Sequence, residues 1–357
     1  MKKTLTILGM SALILLGTAC SNDDDNNIGS NTRKDIQLTR TEQEMVKASN
    51  GFAIDFFRNI NADENGNVLV SPLSLSSLLA MTNNGAVGNT EAELLKALGF
   101  ENQNAEEVNA YYKNLVNGLL TADKTTKIGW GNSMWINKAH ANEVKPTFKE
   151  TISKEFGAEL YTLAFDKKAL DKINDWSYRK TNGCIPEILK DLNPSTFSIL
   201  MNALYFKGIW KDPFEKKNTK SGNFWNNGKQ VFTKFMCQKM MEIDYYASEA
   251  EGVQLIELPY GNEAFSMVVV LPNEGVEIND CIQGLTAEKW QNWMGSAVNK
   301  KVNVDDLEKD KTSNMGYDYK GLGGGLTTAQ IKKTWPESDL QLIEATTADY
   351  IQSEKPF

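Results

Sequence analysis

The stretch Asn67–Thr90, NVLVSPLSLSSLLAMTNNGAVGNT, combines a strand pattern, a helix start and a helix stop. Its apolar run Val68–Val70 predicts a buried strand. Ser71 can then cap a helix whose first residue is Pro72, because proline lacks a backbone N–H and already has a helical φ. The side chains that predict the buried face of this helix are Leu75, Leu78, Leu79 and Met81. The glycines that predict its end are Gly85 and Gly88.

Two further helices are predicted in the first third of the chain. Thr41 and Glu44 form a capping-box pattern at the start of the first one. The positions that follow at helical spacing are Met45, Ser49, Phe52, Phe56 and Ile60. The second helix spans roughly residues 105–120. Its predicted apolar face contains Val108, Tyr111, Tyr112, Leu115, Val116 and Leu119.

From Ser198 onward the pattern changes to that of strands. Apolar runs flank Asn202, and Phe265–Leu271 is continuously apolar, which predicts strands buried on both faces. The segment Val253–Leu271, with Gly261 at its bend, predicts a β-hairpin. A helical region followed by sheets indicates an α+β fold.

Composition sets limits on the class of protein. The chain has 357 residues, of which 41% are hydrophobic and 24% are charged, as is typical of a globular protein with a large core. The formal net charge of −8 argues against a nucleic-acid partner, because an acidic surface repels phosphate. No Pro/Gly/Ser-rich linker interrupts residues 41–304, so we expect one large domain there.

The N-terminus has the pattern of a secretory signal. Met1–Lys3 precedes the apolar run Leu5–Leu16, which is too short for a membrane-spanning helix, and we assign residues 1–19 as the signal peptide. The sequence LLGTAC resembles a bacterial lipobox, which implies that Cys20 carries a lipid and anchors the protein to a membrane. Ordinary signal cleavage is the alternative.

An acidic run follows the cysteine. Ser21–Asp25 resembles the surface-export signal of some Gram-negative lipoproteins, and the simpler interpretation of the same run is a solvated tether. We expect residues 20–40 to be an acidic flexible tether. The expected location is the outer membrane or cell surface, facing the extracellular space or the periplasm.

Separated segments of the chain resemble motifs of the serpins, a family of protease inhibitors. Besides Asn67–Thr90 these are GNSMWINK from Gly131, WSYRKTNGCIP from Trp176, ILMNALYFKGIWKDPF from Ile199 and LIELPYGNEAFSMVVVLP from Leu255. They occur in the family's order and at its spacing. The resemblance implies a serpin-like domain over residues 41–304, with N-terminal helices packed on a large mixed sheet and with smaller sheets beside it.

The resemblance also assigns roles to single residues. Ser71, Ser74 and Asn202 match the positions that hydrogen-bond beneath the central sheet where it opens, called the shutter. Trp210 matches the tryptophan at the top of that sheet, the breach, where an inserting loop first enters. From the residues alone, Ser71 could be only a helix cap, Asn202 only a bulge and Trp210 only a core aromatic.

A serpin-type function follows from the resemblance. Inhibitory serpins offer a bait loop to a serine or cysteine protease, and cleavage lets the loop insert into the main sheet and distort the attached enzyme. The resemblance therefore implies protease partners, and we expect a monomer with no cofactor and no metal. A non-inhibitory or vestigial serpin-fold binding protein is the alternative.

Residues 305–357 depart from the family pattern. Asp305–Asn314 is charged, and family-like fragments return only at Tyr317–Lys320 and Leu326–Lys333. This part contains no small-residue hinge, no bait loop and no closing Pro-Phe strand, so we name no reactive bond and expect the chain to be incompetent for inhibition. Our hypothesis is a frame-displaced or truncated serpin C-terminus, which reading the DNA after codon 304 in all three frames would test.

Enzymatic alternatives find little support in the sequence. The only histidine is His140, in a loop-like segment, and no G-x-S-x-G elbow accompanies a serine. The cysteines after the leader have no metal-ligand spacing and are expected to be small buried apolar residues: Cys184, Cys237 and Cys281. Gly321–Leu326 is glycine-rich but lacks the context of a dinucleotide-binding loop.

Overall fold

The computed structural model describes residues 31–303, apart from residues 65, 227, 228 and 239. Its helices are α1 Arg40–Asp63, α2 Pro72–Asn83, α3 Asn89–Leu98, α4 Ala105–Thr121, α5 Pro146–Phe156, α6 Lys167–Lys180, α7 Ile278–Gln283 and α8 Ala287–Ser296. Its strands are β1 Lys127–Asn137, β2 Glu159–Leu163, β3 Ser198–Lys207, β4 Lys220–Asn226, β5 Lys229–Phe235, β6 Met240–Ser248, β7 Val253–Pro259, β8 Ser266–Pro272 and β9 Val298–Asn303. Four helices precede the first strand, and the strands form separate mixed and antiparallel sheets, which confirms the α+β prediction.

The N-cap of helix α1 lies two residues before the predicted cap. Thr39 is the N-cap, its side chain accepts from the Glu42 backbone N–H, and the Glu42 carboxylate accepts from the Thr39 N–H at 2.7 Å. The prediction of Thr41 as the cap was therefore wrong. Both threonines are followed three residues later by a glutamate, so both fit the capping-box pattern. With the cap at Thr39, the preceding residue Leu38 packs on the core.

Helix α2 starts as predicted, but its buried surface includes small polar side chains that were not predicted. Ser71 is the N-cap and Pro72 occupies the first turn. The fully buried residues of the helix are Ser76, Ser77, Ala80, Met81 and Asn83, whereas Leu75, Leu78 and Leu79 are half-buried. Met81 is buried as predicted, and Leu78 and Leu79 pack against the core, so the predicted stripe is only part of the buried surface of the helix.

The run before α2 does not form the predicted strand. Val68–Val70 has no regular secondary structure, and Leu69 is 81% exposed. A strand needs a neighbouring strand to satisfy its backbone groups. Among the described residues this run has no strand partner, and only Val68 and Val70 are half-buried.

Strand β1 is the centre of a three-stranded sheet in the order β2-β1-β3. It pairs parallel with β2 and antiparallel with β3, in a register that places Asn132 opposite Asn202. One face packs on the core formed by α1–α5, through side chains such as Met134 and Ile136. The other face packs on α6, through Trp135 and Met201. The sheet is therefore covered on both faces.

A second sheet has the strand order β8-β7-β6-β9, and β4 and β5 form a separate hairpin. The β7–β8 pair confirms the hairpin predicted for Val253–Leu271. One face of the second sheet packs on α8 through Val253, Leu255 and Trp293. Strands β3 and β8 are mainly half-buried, so their burial is less complete than expected.

The chain is already packed ahead of α1. Asn31 and Arg33 hydrogen-bond to the domain, and Ile36 and Leu38 contact its largest core. Packed structure therefore extends upstream of Thr41, into the last part of the segment expected to be a tether. Of the helices between residues 31 and 303, none is both long enough and apolar enough to cross a membrane.

Candidate shutter and breach residues

Two asparagines face each other in the middle of the first sheet. Asn132 of β1 is 2% exposed, and its Nδ2 donates to the Phe156 carbonyl at the end of α5 at 2.8 Å. The Nδ2 of Asn202 on β3 donates to Asn132 Oδ1 at 2.9 Å. A polar ladder thus runs from α5 across β1 to β3. Asn202 is in regular register with Asn132, so the bulge interpretation was wrong.

The serines of α2 form a separate polar pair. Ser71 Oγ donates to Ser74 Oγ at 2.8 Å and accepts from the Ser74 backbone N–H at 3.4 Å. The capping role predicted for Ser71 is therefore present, together with a bond between the two side chains. Helix α2 lies against β3, but the serine pair makes no hydrogen bond to Asn202.

Polar atoms on this side of the sheet are incompletely paired. Asn202 Oδ1 is buried and has no hydrogen-bond partner in the described part of the chain, and the same holds for Ser77 Oγ on α2. An unsatisfied buried group costs about 1–3 kcal/mol. Asn202 also lies on β3, which is an edge strand among the described residues. Asn202 Oδ1 is therefore an atom at which this sheet can gain a hydrogen bond.

Trp210 lies just past the Lys207 end of β3, in a group of aromatic rings that we call the aromatic cluster: Phe206, Trp210, Phe214, Tyr260 and Phe265. Its indole stacks on Tyr260, with ring centroids 4.4 Å apart and planes 13° from parallel. A single β-bridge joins the backbones of the same two residues. Trp210 is half-buried, so it is a surface aromatic that closes this end of the sheet rather than an ordinary core residue.

The structure places the named residues in three separate contacts and adds Asn132, which sequence reasoning missed. Asn202 bonds to Asn132, Ser71 bonds to Ser74, and Trp210 lies at the end of the same strand as Asn202. Asn132 stood in the quoted motif GNSMWINK, and an asparagine inside an apolar strand is itself a sign of a buried hydrogen bond. Cys20 lies outside the described residues.

The residues weighed for other chemistry lie elsewhere. His140 is on the surface, with Nδ1 2.7 Å from Glu143 Oε1 and its ring against Phe197. Cys184 is exposed and Cys237 and Cys281 are half-buried, so the expectation of buried cysteines was wrong. Across the described ranges, no group of three or more His, Cys, Asp or Glu side chains is arranged to hold a metal ion.

Comparison with known proteins agrees with this architecture. Residues 47–315 match the family model described as serpin (serine protease inhibitor). The leukocyte elastase inhibitor of Sus scrofa is 33% identical over 262 residues, which cover 70% of this chain and 68% of that protein. Serpin B8 of Homo sapiens is 32% identical over 267 residues, covering 73% and 70%.

Solved structures give the same result. The thermophilic serpin tengpin in its native state superposes with a TM-score of 0.66 at 28% identity, covering 77% of this chain and 69% of that one. In its latent state the TM-score is 0.64 at 29% identity, covering 76% and 72%. The helices, the mixed sheet and the matched motifs lead to one assignment: the chain belongs to the serpin family.

Proposed function

We propose that this protein has the architecture of a serpin-type inhibitor of serine or cysteine proteases, and that the chain as printed does not complete the inhibitory reaction. The family supports the first half of the proposal. The observation that carries the second half is the sequence of residues 305–357, which contains no hinge and no bait loop. Such a chain would be a non-inhibitory binding protein with a serpin fold.

The sheet has the features that loop insertion would use. Strand β3 is an edge strand among the described residues, so an added strand would find its backbone groups available. Asn202 Oδ1, buried and without a partner, would accept from a group on that strand. Trp210, stacked on Tyr260, would be the first large side chain that the inserting segment displaces.

The test mixes the full chain with a chymotrypsin-like, an elastase-like and a papain-like protease. The expected result is cleavage of the chain or indifference, with no complex that survives denaturing electrophoresis. The pig leukocyte elastase inhibitor is the positive control, tested with the elastase-like enzyme. A covalent complex at the combined mass of this chain and a protease would overturn the proposed incompetence and would show that residues 305–357 supply a bait.

The location of the protein is a second proposal, supported by the leader sequence. Lipid attached at Cys20 would hold the domain at the outer membrane or cell surface, and residues from Ser21 onward would space it from the membrane. Detergent phase partitioning tests this: the wild type should enter the detergent phase and Cys20→Ala the aqueous phase. Equal partitioning of the two would contradict lipidation. Size-exclusion chromatography should give a monomer.

A further inference from the structure

Residues 31–38, which we call the arm, pack on the domain, and Asn31 at the start of the arm makes specific hydrogen bonds to it. Asn31 Nδ2 donates to Asp123 Oδ1 at 2.8 Å, and the Lys124 backbone N–H donates to Asn31 Oδ1 at 3.0 Å. Both polar atoms of the amide are therefore used. Because the domain binds both atoms, the position of the Asn31 side chain is fixed.

The carboxylate that receives Asn31 is itself built into the turn before β1. Asp123 is 4% exposed and accepts from the Thr125 backbone N–H at 2.8 Å and from the Thr126 hydroxyl at 2.7 Å. Its donors are neutral groups on the turn and on the arm. The arm thus completes the hydrogen bonding of a buried charge.

A second contact joins the arm to the turn between β7 and β8. An Arg33 guanidinium nitrogen donates to the Glu263 carbonyl at 3.0 Å. Glu263 has a φ of 69°, a left-handed conformation that a side chain makes unfavourable, so this turn needs outside contacts to hold it. The Glu263 carboxylate in turn accepts from Lys211 Nζ at 2.5 Å, and this bond raises the pKa of Lys211.

The same turn carries the ring that covers Trp210. Tyr260 stacks on the indole, and the Gly261 backbone N–H donates to the Ile209 carbonyl at 2.8 Å. The Lys211 N–H donates to the Pro259 carbonyl at 3.0 Å. Arg33 is therefore linked through Glu263 to Lys211, which lies in the segment that follows β3.

A third contact seats the apolar part of the arm on α4. A Cβ at Gly118 would lie 2.5 Å from Ile36 Cγ1, well inside van der Waals contact. Ile36 can lie in this position only because residue 118 is a glycine. The arm and α4 are therefore fitted to each other along the helix surface.

From these contacts we propose that the arm is a strap that holds the aromatic cluster closed over the Lys207 end of β3. Release of Asn31 and Arg33 loosens the Tyr260–Glu263 turn and, through this turn, the Trp210–Tyr260 stack. The strap is independent of the proposed inhibitory function, and its test uses no protease.

The first experiment compares amide hydrogen exchange in the full-length wild type and in the double variant Asn31→Ala, Arg33→Gln. The amides of Gly261 and Lys211 should exchange at least about tenfold faster in the variant, while that of Trp135 in β1 keeps its rate. Lys47→Ala, on the exposed surface of α1, is the control and should change none of the three. Unchanged rates at Gly261 and Lys211, or an equal acceleration at Trp135, would overturn the proposal.

The second experiment unseats the arm without altering it. Gly118→Ala places a methyl group where Ile36 lies and should reproduce the faster exchange at Gly261 and Lys211. Gly51→Ala, in α1, is the matched control because no atom lies within 4 Å of the added Cβ. Equal exchange rates of the Gly261 and Lys211 amides in the two alanine variants would contradict the proposed role of the contact between Ile36 and α4.

Discussion

Strands β1 and β3 are neighbours in one sheet and are both rich in apolar side chains, yet they differ in burial. The last seven residues of β1 are all buried. In β3 only Met201 and Ala203 are buried, and Phe206 is 42% exposed. Strand β1 has a neighbour on each side, whereas β3 has one among the described residues. Burial here is decided by what lies beside a strand, and the side of β3 that is open among the described residues is where we propose that a loop would insert.

The largest difference is expected between Trp135 of β1 and Phe206 of β3. Trp135 is fully buried, stacks on Tyr161 with centroids 4.1 Å apart and contacts Trp176 edge-on. Trp135→Ala should lower the free energy of unfolding by about 3–5 kcal/mol, and Phe206→Ala by about 1–2 kcal/mol. Urea titration measures both. Equal losses would mean that β3 is as enclosed as β1.

The asparagine pair should show the same asymmetry on a smaller scale. Asn132→Ala leaves the Phe156 carbonyl and Asn202 Nδ2 unpaired, at a cost of about 2–4 kcal/mol. Asn202→Ala leaves Asn132 Oδ1 unpaired but also removes an acceptor that has no partner among the described residues, so it should cost only about 1 kcal/mol. Urea titration of both single variants and the double variant gives their coupling. A larger loss for Asn202→Ala would indicate that a further element binds its oxygen.

Acid should weaken the turn that leads into β1. Burial alone would raise the pKa of Asp123, but hydrogen bonds from Thr125, Thr126 and Asn31 outweigh it and lower the pKa below its ordinary value. A carboxylate with a lowered folded pKa stabilises the fold at higher pH, and this stability is lost as the pH falls through that pKa.

The wild type should therefore lose stability below about pH 4, and Asp123→Asn should lose less over the same interval. The measurement is the urea midpoint of both proteins as a function of pH. Because Glu42 and Glu159 also have lowered pKa values, only the difference between the two curves reports on Asp123. Parallel curves would contradict this role.

The smallest effect is expected at the start of α2, beneath the open strand. Ser71→Ala removes the cap and the bond to Ser74, and should cost about 1 kcal/mol. Thr82→Ala, near the exposed end of the same helix, is the control and should change the urea midpoint much less. A loss of several kcal/mol at Ser71 would mean that the serine pair holds the sheet as well as the helix.

Local signals in the sequence predicted the fold well where they had a single interpretation. Ser71 followed by Pro72 placed the start of α2 correctly, and Gly261 placed the β7–β8 hairpin. The cap of α1 was misplaced because Thr39 and Thr41 satisfy the same pattern, and the pattern does not include the packing of Leu38 that distinguishes them.

Features that depend on distant partners could not be predicted from the residues alone. Val68–Val70 has the composition of a strand, but a strand forms only where another lies beside it. Asn202 was identified through the family resemblance, whereas its partner Asn132 became visible only with the β1–β3 register. The hydrogen bond between Asn31 and Asp123 joins residues 92 positions apart, so no local sequence pattern predicts it.

Hydrogen exchange of β3 in the full-length protein tests the central claim most directly. With one edge of β3 open among the described residues, alternate amides along the strand have no ladder partner there, whereas every amide of β1 between its two neighbours has one. The account predicts that alternate amides of β3 exchange at least about a hundredfold faster than those of Ser133–Asn137. Uniform protection along β3 would contradict it, because a further strand would then cover the edge where this serpin is proposed to be open.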